Sequence, residues 1–251
     1  MNGPIFIISD NHFSMNNNHA ENDRRNKLFK VFTKIKSFKN STLIVGGDFF
    51  DYWFEYKHVI PSGYDNLIDS FQDLTKAGIT IHYVLGNHDY WDFGYLNRIA
   101  NIITHKNDFE FNYSNQKILI THGDGLLKND RGYRLLKTVI RHPLFIQAFK
   151  LLPPNFTCKL AKRISKSSSD YNHHDKYVDL IKKDIKEYSE KKWKLGYDSI
   201  LVGHYHQTGI YENENKKMIF LGDWLSKFTV TMINEKKYWQ GDWQNFVDLV
   251  Y

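Results

Sequence analysis

Cysteine and long apolar runs are what this sequence most clearly lacks. Cys158 is the single cysteine among 251 residues, so no disulfide can form within the chain, and this favours a reducing compartment. The first residues show no basic segment followed by an apolar one, and no stretch approaches the roughly 18 apolar residues of a membrane-spanning helix. We therefore expect no signal peptide, no membrane span and a cytoplasmic location.

The chain does carry a modest excess of positive charge. Its 34 Lys and Arg residues against 28 acidic residues give a formal net charge of +6, and its aromatic content of 16% excludes a disordered chain. A length of 251 residues suits one large domain, or one domain with an insertion. This excess is compatible with an anionic partner, either a nucleic acid, a phosphorylated metabolite or an acidic membrane surface, and equally with ordinary variation in surface charge.

Short apolar runs predict buried strands that alternate with amphipathic helices in the first half of the chain. The five runs cover residues 5–8, 42–45, 79–85, 117–120 and 199–202. Weaker strand-like segments follow around 208–212, 217–221, 227–233 and 237–239. This alternation indicates an α/β layered core. Each of the five runs leads into Gly, Asp, Asn or His residues, which we expect to converge on one edge of the sheet, beyond the carboxyl ends of the strands.

Residues 126–192 interrupt this alternation. The spacing of their apolar residues predicts helices over roughly 131–150, 155–168 and 173–192, separated by Pro153-Pro154 and a serine-rich stretch at 165–169. We interpret 126–192 as a helical insertion into a core formed by residues 1–125 and 193–251.

The polar residues at the strand ends form a ligand set for divalent cations such as Mn²⁺, Fe²⁺ and Zn²⁺. The seven candidates are Asp10, His12, Asp48, Asn87, His122, His204 and His206. Asp10 and His12 are two residues apart, as are His204 and His206, and in extended backbone such pairs point to the same side. Seven ligands are too many for one tetrahedral ion and suit two cations about 3.5–4 Å apart that share a carboxylate. Such a pair assists the hydrolysis of phosphate esters, which is very slow without a catalyst.

Taken in order, the strand-end motifs resemble the signature of the calcineurin-like metallophosphoesterases. The matching segments are Asp10-x-His12, Gly47-Asp48, Gly86-Asn87-His88-Asp89, His122-Gly123-Asp124 and Gly203-His204-x-His206. The resemblance covers about residues 4–125 and 196–232, and it implies a four-layer αββα sandwich. One departure is Asn11, which stands where the family usually has Leu between the first Asp and His.

The resemblance also implies a role for each candidate residue. One cation would be held by Asp10, His12, Asp48 and His206. The other would be held by Asp48, Asn87, His122 and His204. His88 would face the scissile phosphate as a general acid or as a charge stabiliser.

A finer resemblance is to the UDP-2,3-diacylglucosamine diphosphatases of lipid A synthesis. It is carried by GDFFDYWF at 47–54, HGDGL at 122–126, DRGY at 130–133 and LGDW at 221–224. This resemblance implies hydrolysis of the diphosphate in a UDP-linked diacyl sugar, which yields UMP and the sugar 1-phosphate. The implied cofactor is a pair of divalent cations, Mn²⁺ in the first place, with Fe²⁺ and Zn²⁺ as alternatives. The implied location is peripheral, on the cytoplasmic face of the inner membrane.

The composition of the insertion agrees with a lipid-linked substrate. Between residues 128 and 166 there are ten Lys or Arg residues and one acidic residue, Asp130, interleaved with large apolar side chains. That mixture suits an anionic lipid surface or a cleft for acyl chains beside a diphosphate. The alternative interpretation is a solvated basic face over an ordinary helical hairpin. The candidate substrate contacts are Asn87, His88, Tyr133, Arg163 and Lys166.

Two other functions fit parts of the pattern. A nuclease or nucleotide phosphodiesterase on the same core would use the basic insertion to follow a nucleic acid backbone. The apolar residues of the insertion exceed what backbone binding needs, so we expect no nucleic acid partner. A non-catalytic scaffold should have lost metal ligands, and none is missing. We expect a nucleotide-linked lipid and an anionic inner-membrane surface as partners, and no feature indicates a protein partner.

Overall fold

Two β-sheets lie at the centre of the protein. The structure is a computed structural model, and it describes residues 1, 3–56, 60–153 and 175–250. The first sheet has the strand order β11-β10-β1-β2-β3-β4, and the second has the order β5-β6-β7-β9-β8. The strands are β1 Ile5–Ile8, β2 Thr42–Val45, β3 Thr80–Val84, β4 Ile103–His105, β5 Phe109–Tyr113, β6 Gln116–Thr121, β7 Ser199–Val202, β8 Thr208–Asn213, β9 Lys216–Leu221, β10 Thr229–Asn234 and β11 Lys237–Asp242.

The centre of each sheet is parallel. Strands β1 to β4 pair in parallel, as do β6, β7 and β9, while β10, β11, β5 and β8 join antiparallel at the margins. The five predicted buried strands are confirmed, and so are the strand-like segments after residue 207. Strands β4 and β5 were not predicted. The first has only three residues, and the second alternates half-buried and exposed side chains instead of forming an apolar run.

Seven helices lie within the described residues. They are α1 His19–Ile35, α2 Asp65–Lys76, α3 Tyr95–Ala100, α4 Arg131–Ile140, α5 Pro143–Lys150, α6 Asp175–Lys194 and α7 Trp243–Asp248. Helix α1 begins at Asn18, whose side chain accepts a hydrogen bond of 2.9 Å from the backbone N–H of Glu21. Its residues Leu28, Val31 and Phe32 recur at helical spacing and are buried.

The alternation of side chains along β1 shows how the layers are arranged. Phe6 and Ile8 pack in a cluster with residues of α1, α2 and α7, whereas Ile5 and Ile7 pack against the second sheet. On the far side of the second sheet, Ile181 of α6 lies in a third cluster with residues of β7 and β9. The order is therefore helices, sheet, sheet and helix, and the predicted αββα sandwich is confirmed.

The segment 126–192 differs in detail from the prediction. One helix over 131–150 was wrong, because the structure has α4 and α5 with a break at Arg141 and His142. Pro143 disfavours a helical conformation in the residue before it, and His142 is extended, with φ −70° and ψ 135°. Helix α6 agrees with the helix predicted over 173–192. The helix predicted over 155–168 lies outside the described residues, as do Arg163 and Lys166.

Helices α4 and α5 contain no buried residue. The division into a core and a helical insertion at 126–192 stays a prediction. In the part of the chain that the structure describes, no helix has both the length and the apolar composition needed to cross a membrane.

Candidate metal centre

The predicted ligands all follow the carboxyl ends of parallel strands. In the first sheet, Asp10 follows β1, Asp48 follows β2 and Asn87 follows β3. In the second sheet, His122 follows β6 and His204 follows β7. Because the two sheets pack face to face with these ends on the same side, the side chains meet at one rim. We call the whole group the Asp/His cluster; it consists of Asp10, His12, Asp48, Asn87, His88, His122, His204 and His206.

Most of the cluster has an unusual backbone conformation. Five members have φ between 45° and 65°, in the left-handed region that residues other than glycine rarely adopt: Asp10, His12, Asp48, His204 and His206. Each such residue costs on the order of 1 kcal/mol, so the surrounding structure must hold it in place. Extended backbone was the predicted reason why Asp10 converges with His12 and His204 with His206, and this reason was wrong for both pairs. In each pair the side chains converge through turns at the strand end.

One group of side chains contains Asp10, His12 and His206. One ligand atom from each lies within 4.8 Å of the other two. The Oδ1 atom of Asp10 is 3.7 Å from Nε2 of His206. Asp10 is fully buried, and its carboxylate accepts hydrogen bonds from the Ser9 hydroxyl at 2.6 Å and from the backbone N–H of His204 at 2.9 Å. This group contains three of the four ligands expected for one cation.

A second group contains Asp48, His122 and His204, with ligand atoms again within 4.8 Å of one another. The Oδ2 atom of Asp48 is 3.3 Å from Nε2 of His122, and Oδ1 of Asn87 is 3.1 Å from the same nitrogen. The structure thus brings together all four residues expected around the other cation.

Asp48 lies between the two groups. Its Oδ2 atom is 3.9 Å from Nε2 of His12 and 3.9 Å from Nε2 of His88, and these three residues form a further candidate group. A carboxylate that reaches both groups has the position expected of a bridging ligand. The ring of His88 also lies within the cluster, with its centroid 4.7 Å from that of His12.

Backbone carbonyls orient two of the imidazole rings. Nδ1 of His122 lies 3.0 Å from the carbonyl oxygen of Gly46, and Nδ1 of His88 lies 2.7 Å from that of Asp51. A carbonyl can only accept, so Nδ1–H donates in both cases. Nε2 of His122 is then left to face Asp48. Metal-binding histidines are usually held in this way, because the bond fixes both the tautomer and the ring orientation.

Ionisation in the cluster follows from the contact between Asp48 and His122. Burial alone would lower the pKa of His122, but Asp48 outweighs burial, with Asp10 adding to the effect, and the pKa rises to about 10. Burial would raise the pKa of Asp48, but His122 and His88 hold it well below its usual value. Burial, with His122 adding to it, lowers the pKa of His204 to about 3.

Two glycines leave the space in which the side chains of Asp48 and His122 meet. A Cβ atom on Gly47 would lie 2.3 Å from Nδ1 of His122, and one on Gly86 would lie 2.1 Å from Oδ1 of Asp48. Gly47 also has φ 106°, where a side chain is strained. The motifs Gly47-Asp48 and Gly86-Asn87 therefore have a steric cause, since the ligand side chains occupy the space where a larger residue would project.

Asp89 organises the loops under the cluster, and the sequence reasoning gave it no role. Its carboxylate accepts hydrogen bonds from the backbone N–H of Gly86 at 2.7 Å and of Phe49 at 2.8 Å, and another from the Tyr83 hydroxyl. Burial, with Asp48 adding to it, raises the pKa of Asp89 to about 6. The sequence feature that could have identified Asp89 is its place in the Gly-Asn-His-Asp motif.

Asn11, the departure from the family pattern, is also fully buried, and its amide has no hydrogen-bond partner within the described residues.

Helix α4 is joined to the rim of the cluster through Asp124. The Oδ2 atom of Asp124 lies 2.9 Å from the Tyr133 hydroxyl, 2.8 Å from Nζ of Lys137 and 3.0 Å from a guanidinium nitrogen of Arg141. Burial opposes ionisation of Asp124, but His122 and these two cations outweigh it and lower the pKa. The ring of Tyr133 lies 6.3 Å from that of His204. Of the three candidates in the insertion, Tyr133 is thus near the cluster.

The donor set of the cluster fits divalent cations. It consists of imidazole nitrogens, carboxylate oxygens and one amide oxygen, a mixture that suits borderline and hard ions. Two carboxylates with exposures of 0% and 1% meet several histidines, and cations would balance those buried negative charges. The cluster is therefore compatible with a divalent metal site.

Comparison with known proteins points to one family. A family model described as calcineurin-like phosphoesterase matches residues 3–208. The chain is 25% identical over 243 residues to a UDP-2,3-diacylglucosamine hydrolase of Porphyromonas gingivalis, which covers 90% of this chain and 92% of the relative. It is 25% identical over 234 residues to a protein of that name from Histophilus somni, with 91% and 95% covered. A third such relative, from Pseudomonas syringae pv. tomato, is 23% identical over 236 residues, with 92% of each chain covered.

Among solved structures, an archaeal phosphodiesterase aligns with 94% of this chain and 98% of its own. The TM-score is 0.47, and the sequence identity is 18%.

Proposed function

Because the chain belongs to the calcineurin-like phosphoesterase family and is a hydrolase of phosphoester or phosphoanhydride bonds, we propose that its substrate is UDP-2,3-diacylglucosamine. The proposed reaction cleaves the diphosphate to give UMP and 2,3-diacylglucosamine 1-phosphate, a step of lipid A biosynthesis. Relatives named for this substrate cover nine-tenths of the chain or more. Their identity to this chain is about one quarter, so its own surface beside the cluster must supply the further support.

The proposed cofactor is a pair of divalent cations, Mn²⁺ in the first place and Fe²⁺ or Zn²⁺ as alternatives. One would be held by Asp10, His12, Asp48 and His206. The other would be held by Asp48, Asn87, His122 and His204. When bound, such a pair supplies Lewis acidity that neutralises phosphoryl oxygens and lowers the pKa of an attacking water.

His88 is the proposed catalytic residue. Burial would lower its pKa, but Asp48 and the carbonyl of Asp51 outweigh burial and raise it. Because Nδ1–H already donates to that carbonyl, the second proton of the protonated ring is on Nε2, which lies inside the cluster. A protonated Nε2 can donate to a phosphoryl oxygen and stabilise the charge that develops there. Asn87, the residue before it, is a proposed contact of the same phosphate.

The observation that carries the choice of substrate is the two-sided character of helix α4. Its polar side meets the rim of the cluster through Tyr133, Lys137 and Arg141. Its other side leaves Leu135 at 69% and Val139 at 47% exposure. Helix α5 exposes a further apolar side chain, Leu144, at 74%. A basic side at the reaction centre and an apolar side beyond it suit a diphosphate attached to acyl chains.

The same surface supports a peripheral location on the cytoplasmic face of the inner membrane. Exposed apolar side chains flanked by basic residues bind anionic lipid headgroups through charge and acyl chains through burial. Tyr133 is the proposed substrate contact among the described residues of this segment. Arg163 and Lys166 are proposed contacts that lie outside them.

A product assay tests this proposal. Purified enzyme with Mn²⁺ is incubated with UDP-2,3-diacylglucosamine in mixed micelles, and a second sample contains a chelator. We expect UMP and the diacyl sugar 1-phosphate in the first sample only. A soluble aryl phosphodiester serves as the control substrate, because it reports a working metal centre without requiring recognition of lipid.

Each other outcome has a definite meaning. If the enzyme hydrolyses the aryl diester and leaves UDP-2,3-diacylglucosamine intact, the proposed substrate is wrong, whereas the assignment as a hydrolase stands. If the enzyme also cleaves single-stranded DNA in a salt-sensitive way, the protein is a nuclease, because binding to a phosphate backbone weakens steeply with salt.

A further inference from the structure

A cavity lies between helix α6 and the β8–β9 hairpin, away from the Asp/His cluster. Its volume is about 430 Å³, within the range of small-molecule sites. Helix α6 packs across β7 and β9, where Ile181 and Ile185 are buried, whereas β8 is the edge strand of the sheet. Tyr211 of β8 and Met218 of β9 are directly paired across the hairpin and line the cavity from the sheet side.

The helix side of this cavity carries three positive charges. Lys182, Lys183 and Lys186 line it, and in the described ranges neither Lys182 nor Lys186 has an acidic oxygen within the 4.0 Å of an ion pair. Glu212 also lines the cavity, but its carboxylate lies 2.5 Å from Nζ of Lys217. The charge of the lysines is therefore not cancelled locally, and an anion would be attracted.

Two buried donors next to these lysines have no acceptor. The indole N–H of Trp193, which lines the cavity, is buried and has no partner among the described residues. Ser189 lies one turn earlier on the same side of α6; it is fully buried, and its hydroxyl is also without a partner there. Both donor atoms have almost no accessible surface, so a ligand in the cavity would contact the ring of Trp193 and not its N–H. The indole signal of Trp193 can therefore report occupancy of the cavity through this ring contact.

We propose that this cavity is a second ligand site, for a small organic anion. A phosphate, phosphonate or carboxylate group would pair with Lys182 and Lys186. The apolar or aromatic body of the ligand would pack against Tyr211 and Met218, beside the ring of Trp193. Unpaired positive charge and an apolar wall occur together here, and the proposal does not depend on the substrate of the Asp/His cluster.

The test uses the full chain loaded with Zn²⁺ and phenylphosphonate as the probe. Its carbon–phosphorus bond is not a phosphoester, so the hydrolase leaves the probe intact. Binding is followed by the ¹H–¹⁵N signal of the Trp193 indole, which is assigned by its disappearance in Trp193→Phe. We expect a saturable shift of this signal with phenylphosphonate. Inorganic phosphate lacks the ring and benzyl alcohol lacks the charge, so each should shift it much less.

A double variant tests whether Lys182 and Lys186 supply the positive charge that binds the probe. Lys182→Gln/Lys186→Gln should weaken phenylphosphonate binding about tenfold or more, because two charge-assisted hydrogen bonds are lost. The matched control is Lys191→Gln/Lys194→Gln, which removes two exposed lysines of the same helix outside the cavity and should leave binding unchanged. Both variants should keep wild-type hydrolase activity. An unmoved Trp193 signal in the wild-type chain, or equal weakening in both double variants, would overturn the second site and leave the proposed function intact.

Discussion

The Asp/His cluster and helices α4 and α5 lie next to each other, yet they are held to the protein in opposite ways. The carboxylates of the cluster are buried at strand ends, with Asp10 at 0% and Asp48 at 1% exposure. Helices α4 and α5 have no buried residue, and they reach the core through Asp124 and through contacts such as Phe149 on Phe54, whose ring centroids are 4.9 Å apart.

Because of this difference, the cluster and the two helices suit different tasks. Ligands that must converge to within a fraction of an ångström are built on packed strands, where neighbouring side chains fix them. A surface that must accept flexible acyl chains is built on elements with few buried contacts, which can adjust at small cost. Changes in the cluster should therefore affect chemistry and folding, while changes in α4 and α5 should affect recognition of substrate.

The largest expected effect is at the carboxylate shared by the two groups. Asp48→Asn should reduce hydrolysis of a soluble aryl phosphodiester on the order of 10³-fold, because the amide brings no negative charge to either predicted cation. Asp73→Asn, on the surface of α2, should leave the rate unchanged. Steady-state rates at saturating Mn²⁺ provide the measurement. A rate for Asp48→Asn within about threefold of the wild-type rate would show that the cluster does not catalyse the hydrolysis.

A pair of glycine substitutions compares the two regions directly. Gly86→Ala should lower the free energy of unfolding by at least about 2 kcal/mol, because its Cβ atom would lie 2.1 Å from Oδ1 of Asp48. Gly132→Ala in α4 has nothing within 4 Å of its Cβ atom and should raise that free energy by about 0.5 kcal/mol, because alanine favours the helix. Urea unfolding measures both. Equal effects would contradict the contrast between the regions.

Substitutions on the apolar side of α4 and α5 separate recognition from catalysis. Leu135→Ser/Leu144→Ser should leave the urea midpoint unchanged, because both side chains are exposed at 69% or more. The same variant should lower kcat/KM for UDP-2,3-diacylglucosamine about tenfold, which corresponds to the loss of two apolar contacts of roughly 0.7 kcal/mol each. Activity on the aryl diester should not change. A parallel loss on both substrates would show that this surface supports the cluster and does not bind lipid.

The smallest expected effect concerns a histidine pair far from α4 and α5. Nδ1 of His82 in β3 lies 3.0 Å from Nε2 of His105 in β4, and burial, with His105 adding to it, lowers the pKa of His82 to about 4. Between the unfolded value of 6.5 and this value the unfolded chain binds a proton that the folded chain does not, so the free energy of unfolding falls as the pH drops through this range.

The half-exposed position of His82 limits this loss to about 1 kcal/mol. Unfolding measured at pH 7 and pH 4.5 should therefore show a loss larger by this amount in the wild type than in His82→Gln. Identical pH dependence in the two proteins would show that His82 ionises freely in the folded state.

The sequence predicted the position of the ligands better than their local conformation. Asp10, Asp48 and His122 could be placed because apolar strands and the glycines beside the ligands are visible as patterns. The left-handed backbone at Asp10 and His12 could not be predicted, because the spacing of two residues is equally compatible with an extended chain. The backbone N–H groups of Asp10 and His12 donate to the carbonyls of Gly47 and Asp48, so a loop distant in sequence helps to hold this conformation.

Other misses have equally local causes. Strand β4 is too short to form a pattern, and β5 alternates polar and apolar residues at the margin of its sheet. A single helix over 131–150 ignored the effect of Pro143 on the residue before it. The contact of Asp124 with Lys137 and Arg141 could be predicted only in part. The two basic residues are four apart in the sequence, which indicates a shared side of a helix, but that Asp124 is their partner is visible only in the structure.

Metal stoichiometry tests the central claim most directly. Elemental analysis of the wild type after loading with Mn²⁺ and removal of excess ion should give two equivalents per chain, and Asp48→Asn should retain less than one. A wild type that binds one equivalent or none, or an Asp48→Asn variant that keeps two, would contradict an account in which one carboxylate joins two cations.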